Sequence, residues 1–181
     1  TPTFLVAYGG LSGENWFYQH EPPIWNDPKL TRFTPKAVVE SRSRRLPVHA
    51  YDGDWHHMTV AKSATEMLRK GVMVNLGAHG QRQGLGCHWD LWALAQGGAT
   101  NHEVLRMGTI NPATYIGLGN QLGSLEAGKL ADVVLLGANP LDDIRNTNTV
   151  KYTVKNGEVF EAETMDQTWP TEVERLPFVW E

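Results

Sequence analysis

Cysteine is almost missing from this chain. Cys87 stands alone among 181 residues, so no disulfide can close within it. That leaves the compartment open, because many exported proteins carry no disulfide. Long apolar runs are also missing, and no segment reaches the length of a transmembrane helix, so no membrane span is expected. Charge of one sign is in short supply. A formal net charge of −4 gives no electrostatic case for nucleic acid as a partner. The short metal motifs are absent: there is no His-Glu-x-x-His, no Cys-x-x-Cys and no His-x-His. Cys87 has no Cys-His-Asn constellation beside it and reads as a small loop residue. Neither an initiator Met nor a signal sequence is visible. The chain runs from Thr1-Pro2 straight into strand-like Thr3-Phe4-Leu5-Val6-Ala7-Tyr8, and it is expected to be a piece of something longer.

What is present describes an ordinary globular chain, with 41% hydrophobic and 20% charged residues. The length suits one domain, or one plus a small second one. Seven tryptophans are many for this length. They belong either to the core or to an aromatic surface built for a neighbour.

The central stretch is Gly71-Val72-Met73-Val74-Asn75-Leu76-Gly77-Ala78-His79-Gly80, continued by a glycine-rich loop to Asp90. Val72 to Leu76 reads as a strand buried on both faces, as in a parallel sheet. His79 sits at its C-terminal end, where ligands and metals gather in α/β folds. Ahead of it, residues 56–70 have helical spacing. Val60, Ala61, Ala64, Met67 and Leu68 form the expected buried stripe, Asp54 the N-cap and Gly71 the stop. Residues 11–55 show no sustained period and hold several prolines, which predicts a long functional loop or lid. Within it Arg42, Arg44 and Arg45 form either a solvated face or an anion clamp.

Downstream, Trp89 to Gln96 is an expected helix, stopped by Gly97-Gly98. Thr100 and Glu103 form a capping box for the next one. Asn111-Pro112 supplies a further start. From Gly123 the texture is β: Ala131 to Leu136 as a buried strand, then alternating Val150 to Lys155, an Asn156-Gly157 hairpin and a return through Glu158 to Phe160. Asp132, beside that first strand, reads as structural. The tail from Glu161 lacks a period and suggests an extended arm.

Four histidine positions stand out: His56, His57, His79 and His88. His56 and His88 lie at helix starts, where ordinary capping contacts suffice. His79 has the position for a direct catalytic or metal role, although one histidine cannot hold zinc, which takes three or four protein ligands. His57 and Arg82 are the substrate-binding candidates at the same mouth.

Three stretches together resemble the amidohydrolase superfamily, in its imidazolonepropionase- and prolidase-like branch. They are the helix and strand ending in Gly77-Ala78-His79-Gly80, the segment from His88 through Ala113, and Gly123-Ser124-Leu125-Glu126-Ala127-Gly128-Lys129-Leu130-Ala131-Asp132-Val133-Val134-Leu135-Leu136 with Asn139-Pro140-Leu141 and Val154-Lys155-Asn156-Gly157. The Gly-Ala-His-Gly-Gln turn at residues 77–81 is similar to the subgroup fused to a TolB-like β-propeller. The resemblance implies an α/β chain: the C-terminal fragment of a (β/α)8 TIM-like barrel followed by part of a small β-sandwich. Residues 1–118 would give the last barrel strands and helices, with the loop at 11–55. Residues 119–162 would give the sandwich portion, and residues 163–181 an extended tail.

The same resemblance implies a metal-dependent hydrolase of C–N bonds in amides, cyclic amides or dipeptides. It implies zinc or another divalent metal in the full-length parent, though not necessarily in this piece, with His79 as catalytic and metal-binding residue. The family's last barrel strand normally ends in a metal-binding aspartate. Imidazole in its place brings no negative charge, and the family's His-x-His pair has no counterpart here. The fragment alone is therefore expected to be inactive. The alternatives are a non-catalytic binding or scaffold module that kept the fold, and an interaction domain using the aromatic loop and tail. Expected partners are a small amide or peptide substrate and either a second copy or the upstream part of the parent chain. The propeller-fused likeness points to a periplasmic or extracellular location.

Overall fold

The computed structural model describes residues 1–3, 13–43, 50–80 and 82–181. The expected first strand, apart from Thr3, lies outside these residues, as do Arg44, Arg45 and Gln81, and the side chain of Arg42. The chain folds as two compact units, Thr1–Val104 and Leu105–Glu181.

The first unit is helical. The stretch expected as one long loop contains α1 (Gly13–His20), α2 (Pro28–Phe33) and α3 (Lys36–Ser43). Each is two turns or so, too short to display a hydrophobic period. Two of its prolines, Pro28 and Pro35, sit at helix starts. Pro28 occupies the first position of α2, where a missing N–H costs nothing, and the Asp27 carboxylate accepts the amides of Lys29 and Leu30 at 2.8 and 3.2 Å. The Pro35 carbonyl accepts the amides of Val38 and Val39 at the start of α3.

α4 (His56–Arg69) forms where its spacing predicts. Its buried face is His57, Ala61, Ala64 and Thr65, rotated from the expected stripe: Val60 and Met67 point to solvent at 44% and 47% exposure. Small residues face inward because α5 (Gly86–Gln96) lies close. A Cβ built on Gly97 would stand 2.3 Å from the carbonyl carbon of Ala61. Asp54 is not the cap of α4; its carboxylate accepts the Tyr51 amide at 3.2 Å, and the capping position is Trp55. The C-terminus closes as expected at Gly71, in the left-handed region at φ 89°. The Gly71 amide bonds the Leu68 carbonyl and the Val72 amide that of Met67, the paired pattern of a Schellman stop.

The central run Val72–Leu76 is not a buried sheet strand. No ladder engages it among the described residues, and Val72 and Met73 are 50% and 44% exposed, with only Val74 and Asn75 buried. A parallel strand needs a neighbour on each edge for its amides and carbonyls. Here the described neighbour is the chain's own beginning: a Cβ on Gly77 would meet the Pro2 carbonyl oxygen at 2.4 Å. No closed barrel is thus present among the described residues.

α6 (Asn101–Gly108) opens with the predicted capping box: the Thr100 amide donates to Glu103 Oε2 at 2.8 Å and the Glu103 amide to Thr100 Oγ1 at 3.2 Å. Arg69 at the end of α4 completes it, donating from Nε and Nη2 to the two carboxylate oxygens and from Nη2 to the Gly98 carbonyl. In the second unit α7 (Ile110–Tyr115) starts one residue before Asn111, with Thr109 at the cap, so Pro112 lies inside the first turn rather than opening it.

The sheet of this unit has the order β1-β2-β3-β4, all antiparallel: β1 (Val133–Leu136), β2 (Val150–Lys155), β3 (Glu158–Glu161) and β4 (Gln167–Trp169). Asn156 and Gly157 turn the β2–β3 hairpin with φ 50° and 87°, both positive as a type I′ turn requires. Asp132 ties that turn to β1, accepting the Asn156 amide at 2.7 Å and Lys155 Nζ at 2.6 Å. The expected buried strand is half exposed, with Val134 at 53% and Leu135 at 45%. β4 arises within the stretch read as a tail without period, and Gln167 also bridges Val173.

Candidate functional site

The turn after Val72–Leu76 hangs from α5. Asp90, fully buried, accepts the Gly77 amide at 2.9 Å. His79 and Gly80 then take left-handed conformations in succession, φ 56° and 66°, and Arg82 does so again at 50°. Two-sided reversal of this kind lifts His79 into solvent, where it is exposed, and sends Arg82 inward. The Arg82 carbonyl receives the amides of Leu85 and Gly86 and so starts α5.

Arg82 is 3% exposed. Its guanidinium lies 5.1 Å from the centre of the Tyr18 ring, and Nη2 stands 3.9 Å from Glu14 Oε1. Tyr18 donates its hydroxyl to the same Glu14 oxygen at 3.1 Å. Glu14 and Tyr18 are one turn apart on α1, so one face of that helix delivers both. Nε and Nη2 of Arg82 are buried and have no hydrogen-bond acceptor among the described residues. Burial pulls the guanidinium pKa down, opposed by the charge of Glu14.

α1 also carries the aromatic seam. Phe17, fully buried, stacks on Trp89 at 5.2 Å and meets Trp92 edge-on at 6.0 Å, while Tyr18 meets Trp89 edge-on at 5.6 Å. Burying a side chain of this size contributes roughly 1.5–3 kcal/mol. On the other flank His57 lies against Trp16, Phe17 and Trp55, at centroid distances of 5.9, 6.4 and 6.4 Å. Its Nε2 meets Gln96 Oε1 at 2.9 Å, while buried Nδ1 has no hydrogen bond among the described residues. Burial holds the ring's pKa below the usual histidine value, the Gln96 bond opposes that, and nearby His20 adds to it.

The structure therefore places Arg82 and His57 on two flanks of α1, with His79 exposed on the turn before Arg82. No group of three or more histidine, cysteine, aspartate or glutamate side chains positioned for a metal exists among the described residues. As they stand, these residues do not fit a zinc site. His88 sits in the first turn of α5, where burial first and Lys29 second depress its pKa to about 4. Cys87 is on α5 rather than in a loop, and burial, then the charge of Asp90, pushes its thiol up, away from nucleophilic thiolate.

Glu14, Tyr18 and Asp90 join the candidate residues only through these contacts. The Glu14/Tyr18 spacing was the available signal, hidden in a stretch without period. Asp90 was signalled as a lone acid among Trp89, Leu91, Trp92 and Leu94.

No described helix is long and apolar enough to cross a membrane. Residues 60–160, more than half of the chain, match the model of the amidohydrolase family. A 5-methylthioadenosine/S-adenosylhomocysteine deaminase of Teredinibacter turnerae is 56% identical over 41 residues, 23% of this chain and 9% of that protein. An imidazolonepropionase of Thermoplasma acidophilum is 40% identical over 60 residues, 32% of this chain and 15% of that protein. Among solved structures, a Xaa-Pro dipeptidase with bound methionine superposes with a TM-score of 0.53 at 20% identity, over 82% of this chain and 33% of the dipeptidase, a likeness of fold alone. The match thus spans a small part of the curated relatives and about a third of the solved one, and by its family match the chain belongs to the amidohydrolase family.

Proposed function

We propose that this chain is the C-terminal portion of a metal-dependent amidohydrolase that hydrolyses C–N bonds in amides, cyclic amides or dipeptides. The observation that carries the reading is the family match over residues 60–160, which includes the turn bearing His79 and Arg82. The partial coverage of relatives supports a longer parent. The finer placement in the propeller-fused subgroup, with a periplasmic or extracellular parent, rests on the Gly-Ala-His-Gly-Gln sequence at residues 77–81. In this reading His79 is the metal ligand and catalytic residue at the turn, and Arg82 and His57 serve substrate binding. The remaining ligands lie outside the described residues, and zinc or another divalent ion belongs to the parent. The chain packs on the upstream part of its parent or on a second copy.

A second reading is favoured by the missing ligand cluster among the described residues: a binding or scaffold module that kept the fold without the metal. The test is amine release by the longer parent from N-acyl amino acids, dipeptides and cyclic amides. Activity abolished by chelation, recovered with zinc and lost in His79→Ala supports the enzyme. A fully metallated parent that releases no amine from any of them leaves the scaffold reading.

A further inference from the structure

Arg82 is held in an unusual state for a buried guanidinium. The Nε–H and the Nη2–H form one edge of its fork, the edge that takes both oxygens of a carboxylate side by side. That edge is buried and has no hydrogen-bond acceptor among the described residues. Among the described residues the acid placed beside it is Glu14, which stops 3.9 Å from Nη2, beyond hydrogen-bond reach, and whose Oε1 already accepts the Tyr18 hydroxyl. Tyr18 covers the face of the guanidinium at 5.1 Å.

We infer that Arg82 is the anchor for a ligand bearing a free carboxylate, and that Glu14 holds its place in the absence of that ligand. The ligand's carboxylate would pair with Nε and Nη2 once the Glu14 side chain swings aside. This deepens the substrate-binding role given to Arg82 above and rests on it: the substrates selected would be N-acyl amino acids or peptides with a free C-terminus rather than neutral amides. Arginine suits this task because its planar fork distinguishes a carboxylate from an amide, which lysine's point charge does less well. Glu14, on α1, competes for the same edge, so the affinity of the unaltered chain is reduced by the fraction of time Glu14 faces Arg82.

The experiment is calorimetric titration of the full 181-residue chain with N-acetylglycine and, separately, with N-acetylglycinamide, without metal. Glu14→Gln should bind the acid about tenfold tighter than the unaltered chain, as expected for removing a competing charge-assisted contact. Arg82→Gln should lose the acid, Arg82→Lys should recover part of it, and the amide should bind none of them. Should Glu14→Gln fail to fold by circular dichroism, Glu14→Asp withdraws the carboxylate by one methylene and should also tighten binding. Folded Glu14 variants that bind the acid no better than the unaltered chain would overturn the proposal, as would binding that survives Arg82→Gln or does not distinguish acid from amide. Because the readout needs neither metal nor turnover, its failure removes the carboxylate anchor and leaves hydrolysis of neutral amides standing. An inactive parent with Arg82-dependent acid binding would instead remove only the enzyme.

Discussion

Burial separates a histidine from its proton, and this chain does it twice, at His57 on α4 and at His88 on α5. His57 and His88 both have pKa values below the ordinary 6.5, that of His88 at about 4. The folded state then binds fewer protons than the unfolded chain once pH falls below 6.5. Stability is therefore full above that value and declines toward pH 4, by on the order of 3 kcal/mol for His88 alone. Thermal melts between pH 7 and 4 should show the fall, and His88→Asn should flatten it. Glu103 works in a lower window. Its carboxylate is held at about 2, chiefly by the hydrogen bond from Arg69 and then by the Thr100 amide. Its contribution is present above the ordinary 4.5 and fades as pH drops toward 2, so Glu103→Gln should be less stable at pH 5 and little different near pH 2.

Among the elements, the crossing of α4 and α5 leaves no room for a methyl group at Gly97. Gly97→Ala should cost roughly 1–3 kcal/mol, read by denaturant titration of tryptophan fluorescence. Thr100→Ala removes the cap of α6 and should cost about 1 kcal/mol by the same measurement. Where chemistry is local, the sequence was enough: the capping box, the Gly71 stop, the Asn156-Gly157 hairpin and the extent of α4 all follow from residues within a few positions of one another. The helices of residues 13–43 were not legible, because six to eight residues carry too few apolar positions to define a period. The rotation of α4 was not legible either. Which face is inner depends on α5 arriving at Gly97, a contact between residues 36 positions apart.

For the whole molecule, the run Val72–Leu76 marks where sequence pattern stops being informative. Its apolar residues suit a strand with neighbours on both edges, yet Val72 and Met73 are half exposed here. The family could be recognised because its motifs are contiguous. The metal site could not be built, because such sites are assembled from distant strands. Elemental analysis of the 181-residue chain should accordingly find far less than one zinc per molecule, with no change in His79→Ala. Stoichiometric zinc lost in that variant would show that ligands outside the described residues complete a site within this chain.

The Asn156-Gly157 turn carries a chemical clock. Asparagine followed by glycine deamidates when the glycine nitrogen attacks the side-chain amide. Here that nitrogen is engaged, donating its hydrogen to the Ala131 carbonyl at 3.2 Å, and the Asn156 amide is held by Asp132. Ring closure requires the glycine nitrogen to leave the Ala131 carbonyl, and the Asp132 bond to the Asn156 backbone N–H helps to keep the turn in place. The folded hairpin should therefore age slowly, and a preparation that accumulates aspartate or isoaspartate at position 156 will have recorded how often its β-sheet comes apart.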